Sequence, residues 1–297
     1  MSAPRSLSFG IKTAPQHTSY EAMLQVWREA DLEPVFTHAW LFDHFVPLSG
    51  DQNGPCLEGW TLLSAFAAQT ERLRVGVMVT GNTYRHPAVL ANMGATVDVI
   101  SGGRLDFGIG AGWNELEHTS YGIPLYAPAE RIHRLAEACE VIRLLWVEPI
   151  ANFAGEYYQL KDARCEPKPV QKPHPPFVIG GSGERLTLRV VAQFAAVWNF
   201  AGGPVEEFSR LSGVLDQHCA AVGRDPSTIA RSVQVPIDPL HLDDTRDLFG
   251  RFIEAGATHL ILNLGNPRQY REEEGRYPSG IIRRLAAEVV EPLLSNN

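Results

Sequence analysis

The residues best suited to chemistry stand at the ends of short apolar runs. Asp43-His44 follows Ala39–Phe42. An imidazole titrates near neutrality, so this pair can supply a proton donor; an Asp-capped loop with a packed His is the alternative use. Gly110-Ala111-Gly112-Trp113 follows Leu105, Phe107 and Ile109. With almost no side chain there, a flat molecule can lie against the backbone with an aromatic ring beside it; a tight strand-to-helix turn would use the same glycines. Gly180-Gly181-Ser182-Gly183 follows Phe177–Ile179 and leads into a helical pattern. Free N–H groups at a helix start attract phosphate, and Arg185 and Arg189 could add charge; a glycine turn closing a strand is the alternative. Thr80-Gly81-Asn82 and Trp198-Asn199 close two further runs. Small, polar and aromatic residues in this mixture suit a broad planar ligand with a phosphate tail.

The elements that must hold these residues alternate from end to end. The patterns predict strands at Leu7–Ile11, Ala39–Phe42, Leu73–Val79, Leu105–Ile109, Phe177–Ile179, Ala196–Asn199, Ile229–Val235 and His259–Leu264. Between them lie helices over Tyr20–Ala30 (capped by Thr18 or Ser19), Leu57–Gln69, His86–Ile100, about Ala129 to Trp146, a stretch ending near Gln193, Val205–Val222 and Thr245–Ala255. Ile281–Val290 is the last helix. Residues 147–176 break the rhythm; Asn152–Tyr158 and the following prolines read as an inserted hairpin and an extended crossing segment. Eight β/α pairs are the count of a closed (β/α)8 barrel, with a doubly wound open sheet as the second choice. In a barrel, catalytic groups gather at the C-terminal ends of strands, where all the candidates above stand.

Composition sets the outer bounds. A chain of 297 residues with 44% apolar content fits one barrel domain over 1–297 and its insertion. A net charge of −8 argues against nucleic acid. Basic residues are 22 Arg and only 4 Lys. The four cysteines are scattered, with no CxxC, so neither a zinc ribbon nor a disulfide framework is indicated. Residues 1–10 lack a signal-peptide pattern and no apolar run reaches 18 residues, so the expectation is a cytoplasmic protein away from membranes.

Rival chemistries find less support. A Schiff-base enzyme needs a desolvated Lys on a strand, and only Lys12 ends one. A metal hydrolase needs more His and carboxylates at strand ends than Asp43-His44 supplies. His241-Leu242-Asp243-Asp244 reads as a helix start with acidic caps, as does His86 before Pro87, while Arg85 is a candidate anion contact.

Asp43-His44-Phe45, Tyr84-Arg85-His86-Pro87, Gly103-Arg104, Gly110–Glu115, Gly122-Ile123-Pro124 and the Pro167–Pro176 segment before Gly180-Gly181, in this order and spacing, resemble the luciferase-like flavin monooxygenase superfamily. Within it they are most similar to the branch that uses the deazaflavin coenzyme F420. The resemblance implies a (β/α)8 barrel with an insertion, and F420, or alternatively FMN, at the strand C-termini. It also implies a homodimer, formed here by helices two and three with Trp60, Leu63, Phe66 and Ala67, and a separate reductase where reduced cofactor must be supplied. The implied cofactor contacts are Asp43, His44, Val79, Thr80, Gly81, Asn82, Gly110, Ala111, Gly112, Trp113, Gly180, Gly181, Ser182, Gly183 and Trp198. His44 with Asp43 is the implied catalytic pair. Such proteins often carry a non-prolyl cis peptide at the end of strand three, here Met78-Val79 or Val79-Thr80. In the family's sugar-phosphate dehydrogenases a Glu after strand four serves the chemistry; Trp113 stands there in this chain, and Leu48 replaces an aromatic. The implied activity is therefore hydride transfer between F420 and a small unsaturated or carbonyl compound. An FMN-dependent two-component monooxygenase is the first alternative, and a non-catalytic flavin- or deazaflavin-binding barrel the second.

Overall fold

A computed structural model describes residues 7–265, 267 and 276–295. The first half runs β1 (Ser8–Thr13), α1 (Tyr20–Leu32), β2 (Phe36–Leu41), α2 (Gly59–Ala67), β3 (Arg74–Val77), β4 (Thr80–Gly81), α3 (Pro87–Ile100) and β5 (Leu105–Gly110). Then come α4 (Glu115–Tyr121), α5 (Pro128–Val147) and the antiparallel hairpin β6 (Ala151–Ala154) and β7 (Gln159–Ala163). The second half is β8 (Phe177–Gly180), α6 (Thr187–Phe194), β9 (Val197–Phe200), α7 (Val205–Ala221), β10 (Ala230–Pro236), α8 (Leu242–Glu254) and β11 (His259–Gly265). The last helix is α9 (Ile281–Leu285), a π-helical turn over 286–290 and α10 (Glu291–Ser295).

The strands pair in parallel in the order β3-β2-β1-β11-β10-β9-β8-β5-β4, and β3 also pairs with β5. That last pairing closes the ring, so the sheet is a (β/α)8 barrel and not an open doubly wound sheet. The third barrel strand is in two pieces, β3 and β4, separated by a cis Met78-Val79 peptide. Three expectations are corrected. The stretch after Trp113 is not all loop but holds α4, with Asn114 Oδ1 accepting from the Glu117 N–H as its cap. The helix after Gly180–Gly183 starts only at Thr187. Trp60, Leu63, Phe66 and Ala67 on α2 face their own barrel and are buried; the exposed apolar residues are Val89, Val99 and Ile100 on α3.

Strand alternation decides what enters the barrel. On β1, Phe9 and Ile11 pack outward under the helices while Lys12 turns in; on β11, Leu260 and Leu262 go out while Ile261 and Asn263 go in. Trp40 on β2 fills the axis. Gly76 makes room for it: a methyl there would stand 2.4 Å from the Trp40 ring. Trp40, Met78, Val178 and Ile261 form an apolar plug across the barrel. Below it lies a polar layer in which Arg74 and His38 both hold Asp106. Above it is the mouth formed by the strand C-termini.

Candidate active site

The mouth holds a cavity of about 530 Å³. Of the expected residues, Asp43, His44, Val79, Thr80, Gly81, Gly110, Ala111, Gly112, Trp113, Gly180 and Gly181 line it. Ser182 and Gly183 line a neighbouring cleft of about 720 Å³ that shares Ala111, Gly112, Ile132 and Thr187 with the cavity. Asn82 and Trp198 line neither. Asn82 is buried behind the wall, where its Nδ2 donates to the Tyr158 hydroxyl on the insertion. Trp198 has the outward phase of β9. It stacks on Phe208, and its indole N–H donates to the Gly181 carbonyl at 2.8 Å, so it props the glycine loop from behind. Asn199, one residue on, faces the cavity instead.

His44 carries the site's acid–base geometry. Its partner is not Asp43 but Glu117, from the first turn of α4. His44 Nδ1 lies 2.8 Å from Glu117 Oε2. Glu117 is fully buried. Its Oε1 accepts from the backbone N–H groups of Phe45 (2.6 Å) and Val46 (3.2 Å), and its Oε2 also accepts from the Tyr84 hydroxyl. Burial alone would raise the Glu117 pKa; hydrogen bonds from His44, Tyr84 and Phe45 outweigh it and hold the carboxyl below its ordinary value. An ionised carboxylate only accepts, so the proton between the two sits on Nδ1. Nε2 is left without a hydrogen bond among the described residues, and the Trp113 ring packs edge-on against the imidazole at 5.5 Å. This arrangement leaves Nε2 as the ring nitrogen open to the cavity, with the Glu117 carboxylate behind the ring.

Asp43 serves another purpose. Both its carboxylate oxygens receive Arg85, at 2.6 and 3.0 Å, and the Thr80 hydroxyl donates to one of them. Arg85 also reaches Glu58 at 2.5 Å. This bidentate buried pair fixes β2 to the start of α3, and Asp43 is spoken for as a base. It also accounts for Arg85, the earlier anion candidate. His86 caps α3 through its ring, which accepts from the Ala88 N–H, with Pro87 at the first helical position.

The glycines divide into two uses. A methyl on Gly110 would meet Val79 at 2.8 Å, and one on Gly180 would meet it at 3.2 Å. These two are small because Val79 rises between them to form the cavity wall. Gly181 adopts φ +136°, and its N–H already donates to the Asn199 carbonyl at 3.2 Å. The amides of Ser182 and Gly183 have no backbone partner among the described residues. They face the cleft that Arg131 and Arg185 also line. The buried Arg131 Nε makes no hydrogen bond. A planar ring against Val79 and a charged tail along this cleft match these groups in shape and charge, so the residues present fit a flavin or deazaflavin.

Two residues of the candidate site escaped sequence reading. Glu117 falls three places after Asn114, the spacing of a helix capping box, which disguises it as a structural residue. Lys12 looked isolated, yet it stands half-buried in the cavity lining, and desolvation pushes its pKa down to about 8. The signal available was its inward phase on β1.

Comparison with known proteins places this geometry. An F420-dependent glucose-6-phosphate dehydrogenase of Microbacterium testaceum is 32% identical over 248 residues, covering 81% of this chain and 72% of that one. An FMNH(2)-dependent dimethylsulfone monooxygenase of Pseudomonas putida is 29% identical over 184 residues, covering 60% and 50%. The solved coenzyme F420-dependent tetrahydromethanopterin reductase of Methanopyrus kandleri shares the fold at a TM-score of 0.80 and 16% identity, covering 97% of this chain and 99% of that one. A model of the luciferase-like monooxygenase family matches residues 7–277, and the chain belongs to that family.

Proposed function

We propose that this protein is an oxidoreductase that moves a hydride between coenzyme F420 and a small organic molecule, reducing an unsaturated or carbonyl compound. The observation that carries the reading is the His44–Glu117 pair, with Nε2 free beside a wall built for a planar ring. The deazaflavin supplies the hydride. Hydride addition leaves negative charge on the accepting carbon or oxygen, and His44 protonates it from Nε2. Glu117 holds Nδ1–H throughout and stabilises the imidazolium that exists before that transfer; afterwards His44 is neutral and regains its Nε2 proton from solvent. Trp113 and Phe42 pack edge-on against the imidazole and fix its orientation. Trp113 occupies the position of the Glu that the sugar-phosphate dehydrogenases use, which is why the reading points to reduction and not to sugar-phosphate oxidation. The protein acts as a two-fold dimer in this reading, with Val89, Val99 and Ile100 of α3 in the contact.

The test begins with fluorescence titration of the purified protein with F420 and with FMN. Single-turnover reoxidation of the reduced cofactor then follows for wild type, His44→Ala and His44→Gln. Both variants should lose about 10²–10⁴-fold in the proton-coupled step while cofactor affinity changes little. Tight binding of FMN alone, with oxygen consumed, would replace this reading by the two-component monooxygenase. Unchanged hydride transfer in both variants would remove His44 from the mechanism.

A further inference from the structure

Lys12 is the only Lys or Arg among the described residues that line the cavity. Its single hydrogen bond runs from Nζ to the neutral amide oxygen of Gln234, at 2.7 Å. An ammonium has three donors, so two remain. No carboxylate among the described residues answers it. Asp43, the one acidic residue among the described residues that line the cavity, is held by Arg85 and Thr80. The cavity's other titratable groups, His44 and Tyr84, are both tied to Glu117. On the flanking strands, the register partners of Lys12 are Trp40 and Asn263, neither of them charged. One layer down, burial keeps His38 and His259 well below the ordinary histidine pKa, and Asp106 is engaged by Arg74 and His38.

A half-buried, desolvated ammonium that meets no counter-charge among the described residues is costly, and packing alone would be served as well by Met or Leu. The surroundings show what the charge is for. Three amides share the cavity lining with Lys12: Gln234 of β10, which accepts its hydrogen bond, Asn263 of β11, its register partner, and Asn199 of β9. Phe42, Met78, Val79, Trp113 and Ile132 supply an apolar stretch of the wall. We infer that Lys12 is the anion receptor of the cavity, and that the organic substrate is an acid whose carboxylate this ammonium receives while its apolar body lies against the Val79 and Trp113 wall. The inference rests on the reading that substrate and cofactor meet in this cavity. These amides complete the carboxylate's hydrogen bonds, and ion pairing in turn stabilises the charged lysine.

The test uses the lysines themselves, because the chain has only four: Lys12, Lys161, Lys168 and Lys172. Protein made with [13Cε]lysine gives four signals, and the one missing from Lys12→Met is that of Lys12. Its pH titration is followed in the free protein, with saturating benzoate and with saturating benzamide, the neutral isostere. Benzoate should raise the apparent Lys12 pKa by about one unit or more, which by linkage means about tenfold tighter binding to the charged form. Benzamide should leave it in place. Benzoate should bind Lys12→Met about tenfold or more weakly, and Lys12→Gln repeats the comparison with a polar side chain. Equal shifts with benzoate and benzamide, or unchanged benzoate affinity in both variants, would overturn the assignment. The titration is then repeated with F420 and with FMN present. If either cofactor raises the Lys12 pKa and abolishes the benzoate shift, the anion belongs to the cofactor and the substrate assignment fails. No step requires turnover, so a failure of the hydride-transfer reading is seen separately.

Discussion

Replacing Lys12 by Met should stabilise the protein at neutral pH, even though it removes a hydrogen bond. Burial lowers the Lys12 pKa from 10.5 to about 8. Each unit is worth about 1.4 kcal/mol, so the native state is penalised by about 3 kcal/mol whenever the unfolded chain carries the proton more easily. The sign follows from proton counting. Below pH 8 both states are protonated and the penalty is complete. Between pH 8 and 10.5 the native lysine is already neutral while the unfolded one still holds its proton, and the penalty fades as pH rises. Above 10.5 it is gone. Met matches the length of Lys and takes no proton, at the loss of the Gln234 hydrogen bond, about 1 kcal/mol. The net gain is about 2 kcal/mol at pH 7. For 297 residues the unfolding entropy is about 0.6 kcal/mol/K, so Tm should rise by about 3 °C. At pH 10.5 and above the difference should reverse, with the variant about 1 kcal/mol less stable. Urea unfolding of both proteins, free of ligands, from pH 7 to 11 measures this directly. Parallel stability curves with no crossing, or a variant less stable at pH 7, would show that Lys12 is not desolvated and uncompensated as argued.

Three further substitutions probe the site and its frame. Glu117→Gln puts an amide where Nδ1–H needs an acceptor; turnover should fall by about 10²–10⁴-fold with cofactor affinity nearly unchanged, read in steady-state rates and fluorescence titration. Arg85→Met leaves Asp43 buried without its counter-charge and should cost about 3–5 kcal/mol in urea unfolding at pH 7. Gly108→Ala places a methyl 1.9 Å from the Val77 carbonyl oxygen, a backbone atom that cannot swing away; destabilisation beyond about 4 kcal/mol, or failure to accumulate folded protein, is expected in thermal unfolding of the expressed variant.

The barrel was legible because it depends on local periodicity. Runs such as Leu105–Ile109 and His259–Leu264 announce strands, and eight of them alternate with helical stretches that must cover them. The position of the site followed from the same count, since strand ends carry the small and polar residues. What escaped were relations between distant parts of the chain. Glu117 meets His44 across 73 positions, and nothing local distinguishes it from a capping glutamate. Asp43 looked like the partner of His44 because it precedes it, yet neighbours in an extended chain point apart, and Asp43 found Arg85. Trp198 and Asn199 are neighbours on one strand; only the phase of β9, set by its pairing to β8 and β10, sends Asn199 inward and Trp198 out. The glycines gave the right address for a different immediate reason. Gly110 and Gly180 leave room for the chain's own Val79, and that valine is what faces a ligand.

The plug across the barrel governs traffic. With Trp40 filling the axis and Met78, Val178 and Ile261 packed around it, the chamber is a cul-de-sac along that direction. Whatever enters must leave past the strand C-termini, the way it came. Two guests sharing such a chamber cannot pass each other, so their order of arrival fixes their order of departure. The molecule that reaches Lys12 first is trapped beneath a later arrival until that one dissociates. Steady-state patterns should therefore be those of a compulsory sequence, with the outer guest a competitive inhibitor of the inner one's exchange.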